Sequence, residues 1–214
     1  TLETQVKSVA RENLFTTVVG AGLLYGGGES IFHSMFRSSW MDNNAILPIL
    51  SGKLKGENKL PMLDVNDLGS IICKIIETTP ESPYVVAVDK SQNTMREIVT
   101  AISTTLGCGK TKSLNREETQ TLLMDQPNLS SINANLVFSL DGGSVEGMDF
   151  EWKSESGMVE NIEEVVKDYK TCRDLRPVRI VVTGAPHGLD LNERCKKIAN
   201  DYYIPFITVE SAKA

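Results

Sequence analysis

A helix followed by a buried strand near the middle of the chain constrains the fold more than any other feature. The helix has one apolar face with i, i+3, i+4, i+7 spacing, and Pro80 ends it. That face consists of Leu68, Ile71, Ile72, Ile75 and Ile76. Residues 84–88 are then all apolar, which is typical of a strand buried on both faces of a parallel sheet. The sequence therefore predicts an α/β protein.

The alternation of strands and helices continues on both sides of this unit. Residues 14–19 are rich in β-branched side chains and predict a strand, and residues 29–40 predict a helix. Asp64 is placed to cap the central helix, and Thr94 with Glu97 forms the capping box of a further helix. These signals agree with one another and favour repeated βα units.

Residues 111–157 are less regular, and they give no indication of a function. We expect helices at 116–124 and 130–138. A clearer amphipathic helix is predicted over residues 159–169.

A new unit opens after residues 176–177, where Arg-Pro breaks the chain. We predict a strand at 178–183, a loop, a helix up to residue 200 and a second strand at 205–209. The chain is therefore expected to contain two domains, residues 1–173 and residues 177–214.

The composition excludes several classes of function. Lys and Arg number 22 against 28 Asp and Glu, so the net charge of -6 argues against general binding to nucleic acids or anionic membranes. No apolar run approaches the roughly 20 residues of a membrane-spanning helix. Four separated cysteines and two distant histidines lack the spacing of a zinc site, so we expect no bound metal and reduced thiols in an intracellular protein.

Residues 1–107 resemble the C-terminal half of an extended short-chain dehydrogenase/epimerase, a Rossmann-like fold. The resemblance rests on residues 20–28 (GAGLLYGGG) and on residues 64–67 (DVND), where that family has H-V-x-D. Gly26, Gly27 and Gly28 form a tight turn in the favoured interpretation, and they contact a ligand in the alternative one. The family's G-x-G-x-x-G fingerprint and its Y-x-x-x-K pair are both absent from this sequence. We therefore expect neither a bound cofactor nor a catalytic residue here.

Residues 177–214 resemble the start of an adenylate kinase, the first βαβ of a P-loop kinase-like domain. Gly184, Pro186 and Gly188 remain from its phosphate loop, but Leu189 replaces a glycine and Asp190 replaces the lysine. Small residues let the backbone N–H groups of such a loop surround a phosphate, and the lysine attracts it. A carboxylate at that position would repel the phosphate that the lysine attracts. Two unit charges ~4 Å apart interact by about 4 kcal/mol at an effective dielectric of ~20. Asp190 is more simply a helix N-terminal acid, and we expect no ATP binding at this loop.

The order of the two units resembles a family of ciliary adenylate kinases that carry a dehydrogenase-like domain before the kinase. Residues 24–26 (LYG), 84–89 (YVVAVD) and 159–162 (VENI) carry this resemblance. It implies a cytoplasmic location in the ciliary or flagellar axoneme, and assembly with other axonemal proteins. The primary expectation is a catalytically inactive structural protein that acts through protein–protein contacts.

Two alternatives remain open at this point. One is a nucleoside monophosphate kinase that maintains the ATP/ADP balance of cilia, although residues 177–214 are too few to hold an acceptor domain and a lid. The other is an NAD(P)-binding module that residues upstream of Thr1 would complete.

Overall fold

The computed structural model describes residues 1–42, 44–50, 54–80, 82–138, 145, 148–176, 179–184, 190–202, 204–208 and 211. The chain divides into two compact units, Thr1–Leu175 and Arg176–Ala214. Parallel strands alternate with helices in the first unit, which confirms the predicted Rossmann-like α/β class.

The helices and strands follow one another in the predicted alternation. The α-helices of the described residues are α1 (Leu2–Ser8), α2 (His33–Met41), α3 (Val65–Thr78), α4 (Met95–Leu106), α5 (Arg116–Asp125), α6 (Ile162–Cys172) and α7 (Leu191–Asp201). The strands are β1 (Val18–Ala21), β2 (Leu23–Tyr25), β3 (Leu47–Ile49), β4 (Met62–Asp64), β5 (Tyr84–Ala87) and β6 (Thr111–Ser113).

The strands pair in parallel, β1 with β5, β2 with β4 and β3 with β6. The chain changes neighbour at Gly22, whose N–H donates to Ala87 O, while the next N–H, of Leu23, donates to Pro61 O. A Cβ at Gly22 would lie 2.7 Å from Pro61 O, so this approach requires glycine. The first strand begins at Val18, later than the predicted residue 14.

Two apolar clusters form the core of the first unit. The larger one joins α2, α4 and α6 through side chains such as Phe36, Ile102 and Val166. The smaller one lies where α3 covers β4 and β5, and it includes Leu63, Ile71 and Val85. The inward faces of α4 and α6 are therefore confirmed, and so is that of α3 at Leu68, Ile71 and Ile75.

Side-chain caps start helices α3 and α4 as predicted. Asp64 accepts a 2.7 Å hydrogen bond from the N–H of Asn66 and caps α3. Thr94 and Glu97 form both bonds of the predicted capping box of α4. Such caps satisfy N–H groups that have no partner inside the helix.

The helix predicted at 130–138 is wrong over most of its length. A 3₁₀ helix spans Pro127–Asn133, and residues 134–138 are not helical. The side chain of Asn58 donates to the carbonyls of Ile132 and Ala134, at 2.8 and 3.0 Å. These distant bonds use carbonyl groups that a continuing helix would need.

The second unit contains the predicted helix, α7, but its described residues contain neither of the two predicted strands. Residues 179–184 and 204–208 are irregular, and the rest of both predicted strands lies outside the described residues. Val181 is 87% exposed and Ile207 is 70% exposed. A strand needs a neighbour for its hydrogen bonds, and apolar side chains this exposed have no sheet around them.

Candidate functional site

The glycine turn after β2 requires left-handed backbone at four consecutive residues. Gly26, Gly27, Gly28 and Glu29 have φ of 84°, 59°, 95° and 53°. A Cβ at Gly26 would lie 3.0 Å from Oδ2 of Asp64, so that glycine also allows a close approach. The turn is thus a tight connection at the carboxyl end of β2, where open α/β sheets bind their ligands.

The carboxylate of Glu29 occupies the backbone donors of this turn. It accepts hydrogen bonds from the N–H groups of Gly26 (3.3 Å), Ser30 (3.2 Å) and Phe32 (3.5 Å). Glu29 is only 3% exposed, and burial raises its pKa to about 6. Three of the donors that an anionic ligand could use at this turn are therefore engaged by the protein's own side chain.

The C-terminal end of α6 is fastened to the same turn. The guanidinium of Arg173 donates to the carbonyls of Gly28 and Glu29, at 2.7 and 2.8 Å. Tyr169 lies one turn earlier on α6, and its hydroxyl is 3.2 Å from Nδ1 of His33. Burial, followed by the charge of Arg173, lowers the pKa of His33. These contacts fix the turn in place and leave His33 a hydrogen-bonding partner of Tyr169.

A closed cluster of a tyrosine and three aspartates lies beside the turn, at the carboxyl ends of β2, β4 and β5. Its members are Tyr25, Asp64, Asp67 and Asp89, all at most 4% exposed, together with Ser154. In the sequence these residues belong to separate features, namely a turn, a helix cap and the end of a strand. The parallel pairing of β2 with β4 and the hydrogen bond from the N–H of Asp89 to Met62 O bring them together.

The aspartates of this cluster hold the backbone of neighbouring segments. Oδ1 and Oδ2 of Asp67 accept from the N–H groups of Lys153 (2.6 Å) and Ser154 (3.0 Å). Oδ1 of Asp89 accepts from the N–H of Ser91 (3.0 Å) and from its hydroxyl (2.6 Å). Charge-assisted bonds of this kind stabilise buried carboxylates, so the cluster has a structural role.

The electrostatics of the cluster oppose acid–base catalysis by Tyr25. Burial, followed by the carboxylates of Asp89 and Asp64, raises the pKa of Tyr25 above its ordinary value. Its hydroxyl lies beside Asp89, but neither the hydroxyl nor Oδ2 of Asp89 completes a hydrogen bond with the described residues. A catalytic tyrosine needs a nearby cation to lower its pKa toward the working pH. The cluster supplies the opposite charge.

The buried acids predict that the first unit is more stable at pH 5 than at pH 7.5. Burial raises the pKa of Asp89 to about 6, so the folded state binds its proton more tightly than the unfolded state does. The stabilisation is complete below the unfolded pKa and is lost as pH rises through 6. The full shift of about two pH units corresponds to about 3 kcal/mol, of which about 1.4 kcal/mol is gained between pH 7.5 and pH 5. Urea unfolding at the two pH values measures it.

The matched control for this pH dependence is Asp89→Asn, which keeps the shape of the side chain and removes its titration. We expect a flatter pH profile for the variant, with the remaining slope coming from Glu29. Equal profiles for the two proteins would show that Asp89 is not the titrating group.

The phosphate-loop remnant lies in the second unit, and only part of it is described. Pro186 and Gly188 lie outside the described residues, as does Leu189. Gly184 packs against Leu191, because a Cβ at Gly184 would lie 2.7 Å from the side chain of Leu191. Asp190 caps α7, and its Oδ1 accepts from the N–H of Glu193 at 3.1 Å. A carboxylate thus stands at the helix N-terminus, where a phosphate would bind in an intact loop.

Other kinds of site find no support in the described part of the chain. No group of three or more His, Cys, Asp or Glu side chains is placed there to hold a metal ion. All four cysteines are free thiols. None of the helices that the structure describes has both the length and the apolar character needed to cross a membrane.

The fold defines a Rossmann-like α/β protein, and no family model matches the chain. Its sequence is similar to adenylate kinase 7. The Macaca fascicularis protein is 36% identical over 173 residues, which are 80% of this chain and 32% of that protein. The Mus musculus protein is 34% identical over 173 residues, 80% of this chain and 27% of that protein. The predicted resemblance to an adenylate kinase is therefore confirmed, and the chain spans about a third of the length of these relatives.

A search of solved structures also finds a fold likeness. The matching chain is dTDP-glucose 4,6-dehydratase from Bacillus anthracis str. Ames, in complex with NAD, with a TM-score of 0.45 and 15% identity. The match covers 74% of this chain and 46% of that one.

Proposed function

We propose that this chain is a non-catalytic structural part of an adenylate kinase 7-like protein and that it acts through protein–protein contacts. The observation that carries the proposal is the cap of α7. Asp190 stands where the related kinases have their phosphate-binding lysine, and its carboxylate accepts the N–H of Glu193. A bound phosphate would need that same end of the helix.

The charge of this helix end also opposes nucleotide binding. Glu193 lies in the first turn of α7, close to the carboxylate of Asp190. Two carboxylates at a helix N-terminus interact favourably with the helix dipole, and they repel an approaching triphosphate. The same carboxylates that stabilise the helix therefore disfavour a bound phosphate, which supports the proposal.

The first unit supports the same proposal. Glu29 engages the N–H groups of Gly26, Ser30 and Phe32, and the aspartate cluster beside the turn is buried. An anionic ligand at this edge would therefore meet carboxylates. The first unit retains a nucleotide-binding type of fold, in which a site can be lost while the scaffold persists.

The proposed location is the ciliary or flagellar axoneme, with other axonemal proteins as partners. The resemblance to ciliary adenylate kinases supports it. Proximity labelling from the full-length protein in ciliated cells tests this location. Labelled proteins drawn mainly from the cell body rather than from isolated axonemes would contradict it.

Calorimetric titration with MgATP tests the loss of the nucleotide site. We expect no saturable binding up to millimolar nucleotide, because Asp190 replaces a lysine and caps the helix. NAD⁺ and NADP⁺, titrated in the same way into the full-length protein, test the dinucleotide-binding alternative and are also expected not to bind.

Gly184→Val supplies the matched variant for this titration, since a side chain there would collide with Leu191. Micromolar binding of MgATP that Gly184→Val abolishes would show that the altered loop still holds phosphate. The proposal would then be wrong, and the kinase alternative would be favoured.

A further inference from the structure

Helix α3 carries more apolar side chains than the core uses. Ile71 packs inward against β4 and β5. On the outer side, Val65, Ile72 and Ile76 are 38%, 42% and 75% exposed. A helix needs one apolar stripe to pack on a sheet, so a second stripe indicates contact with something else. The sequence predicted a single buried face that included Ile72 and Ile76, and their exposure corrects that prediction.

A groove of about 830 Å³ runs beside this outer stripe, between α3 and residues 149–153. Gly69 and Cys73 line its α3 side together with the polar side chains of Asn66, Ser70, Lys74 and Glu77, and a Cβ at Gly69 would meet nothing within 4 Å. Phe150 and Trp152 stand on the opposite side, with their ring centroids 4.6 Å apart. The missing side chain at Gly69 therefore leaves a notch in which a side chain from another helix can pack.

The opposite wall of the groove is anchored to α3 itself. Asp67, on the inner side of the helix, accepts hydrogen bonds from the N–H groups of Lys153 and Ser154. Phe150 and Trp152 also pack onto the smaller core cluster. The groove is thus formed before any partner arrives, which lowers the entropy cost of binding.

The charges at the rim favour a cationic partner. The two lysines of the rim are already paired, Lys74 with Glu77 at 3.8 Å and Lys153 with Asp168 at 2.9 Å. Asp149 and Glu151 are exposed, and neither takes part in an ion pair with the described residues. The uncompensated charge at the rim is therefore negative.

We propose that this groove binds an amphipathic helix of a partner protein, with an apolar side chain in the notch at Gly69 and Lys or Arg beside Asp149 and Glu151. The groove follows α3 from Asn66 to Glu77, about 17 Å at 1.5 Å per residue. That length matches three turns of a helix docked through i, i+4 and i+7 side chains. The inference rests on the proposed function, in which the chain acts through protein contacts.

Two synthetic peptides of about 18 residues, long enough to form a helix, test the proposal. Both carry leucines at i, i+3, i+4, i+7 spacing; one has lysines on the remaining positions and the other has glutamates. Fluorescence of Trp152, isolated by Trp40→Phe, reports binding. We expect the lysine peptide to bind at least about tenfold more tightly than the glutamate peptide.

Variants of the protein distinguish binding in the groove from nonspecific binding of the peptides. Gly69→Leu fills the notch without meeting other atoms and should weaken binding of the lysine peptide by at least about tenfold. Thr100→Leu adds the same side chain to the exposed side of α4 and should leave the affinity unchanged. The double variant Asp149→Lys, Glu151→Lys should invert the preference between the two peptides. Thermal unfolding confirms that each variant is folded.

Equal binding of the two peptides, or unchanged binding by Gly69→Leu, would overturn the proposal. A dimer in sedimentation equilibrium that Gly69→Leu abolishes would assign the groove to a second copy of the chain and would overturn it as well. The nucleotide titrations do not involve this groove, so its failure is distinguishable from failure of the non-catalytic function.

Discussion

Gly157→Ala is expected to lower the free energy of unfolding of the first unit by about 2–4 kcal/mol. Gly157 has φ of 86°, which an alanine adopts only with strain. A Cβ there would collide with Cβ and Oγ of Ser91. Ser91 cannot yield easily, because its N–H and hydroxyl are both bonded to Asp89. Urea unfolding, followed by the far-ultraviolet circular dichroism of the helices, measures the loss.

Gly109→Ala separates the two causes. Gly109 also has positive φ, at 75°, but the nearest atom to a Cβ there is 3.8 Å away. It therefore has the backbone strain without the collision, and we expect a loss of only about 1 kcal/mol. Equal losses in the two variants would show that the contact with Ser91 contributes nothing.

The parts of the fold that the sequence predicted are those in which local and distant interactions agree. The cap at Asp64 and the capping box of Thr94 and Glu97 start α3 and α4 by local hydrogen bonds, and the apolar face of α4 packs on the core, as do Leu68, Ile71 and Ile75 of α3. Strand β5 is a continuous apolar run that joins the smaller core cluster through Val85 and Ala87. Each of these elements carries its own signal, so one sequence suffices to place it.

Other parts depended on partners far away in the chain. The helix predicted at 130–138 is replaced because Asn58 binds the carbonyls of Ile132 and Ala134, more than 70 residues further on. Strand β6 is short and largely polar, and its parallel pairing with β3 creates it. Asn58 and β3 both lie far away in the sequence from the segments they contact. Local propensity therefore predicted the wrong structure at 130–138 and no strand at β6.

The candidate site was predicted in pieces and not as an arrangement. The glycine turn and Asp190 both stood out as departures from a family pattern, and the cap formed by Asp190 agrees with its interpretation as a helix N-terminal acid. The roles of Glu29 and Asp89 were missed, because an isolated acid in a sequence gives no sign of burial. Tyr25 and Asp64 meet because β2 pairs with β4 in parallel, and a hydrogen bond from the N–H of Asp89 to Met62 O brings Asp89 beside β4.

Asp67→Ala is expected to destabilise the first unit by about 2–5 kcal/mol, since each N–H left without its acceptor costs about 1–3 kcal/mol. The aspartate is fully buried and accepts from the N–H groups of Lys153 and Ser154. Its removal also relieves repulsion with Asp64, which raises the pKa of Asp67 together with burial, but that gain is smaller than the loss of two acceptors. Urea unfolding measures the total.

The same variant should loosen the segment that carries Trp152, because Asp67 is the acceptor that ties this segment to α3. We expect a red shift of Trp152 fluorescence in the Trp40→Phe background before global unfolding begins. Asp67→Asn keeps one acceptor oxygen and should lose about half as much stability, with a smaller shift. If Asp67→Ala had the stability and the Trp152 emission of the parent, the carboxylate would contribute nothing to stability. The segment of residues 149–153 beside α3 would then be held by packing alone.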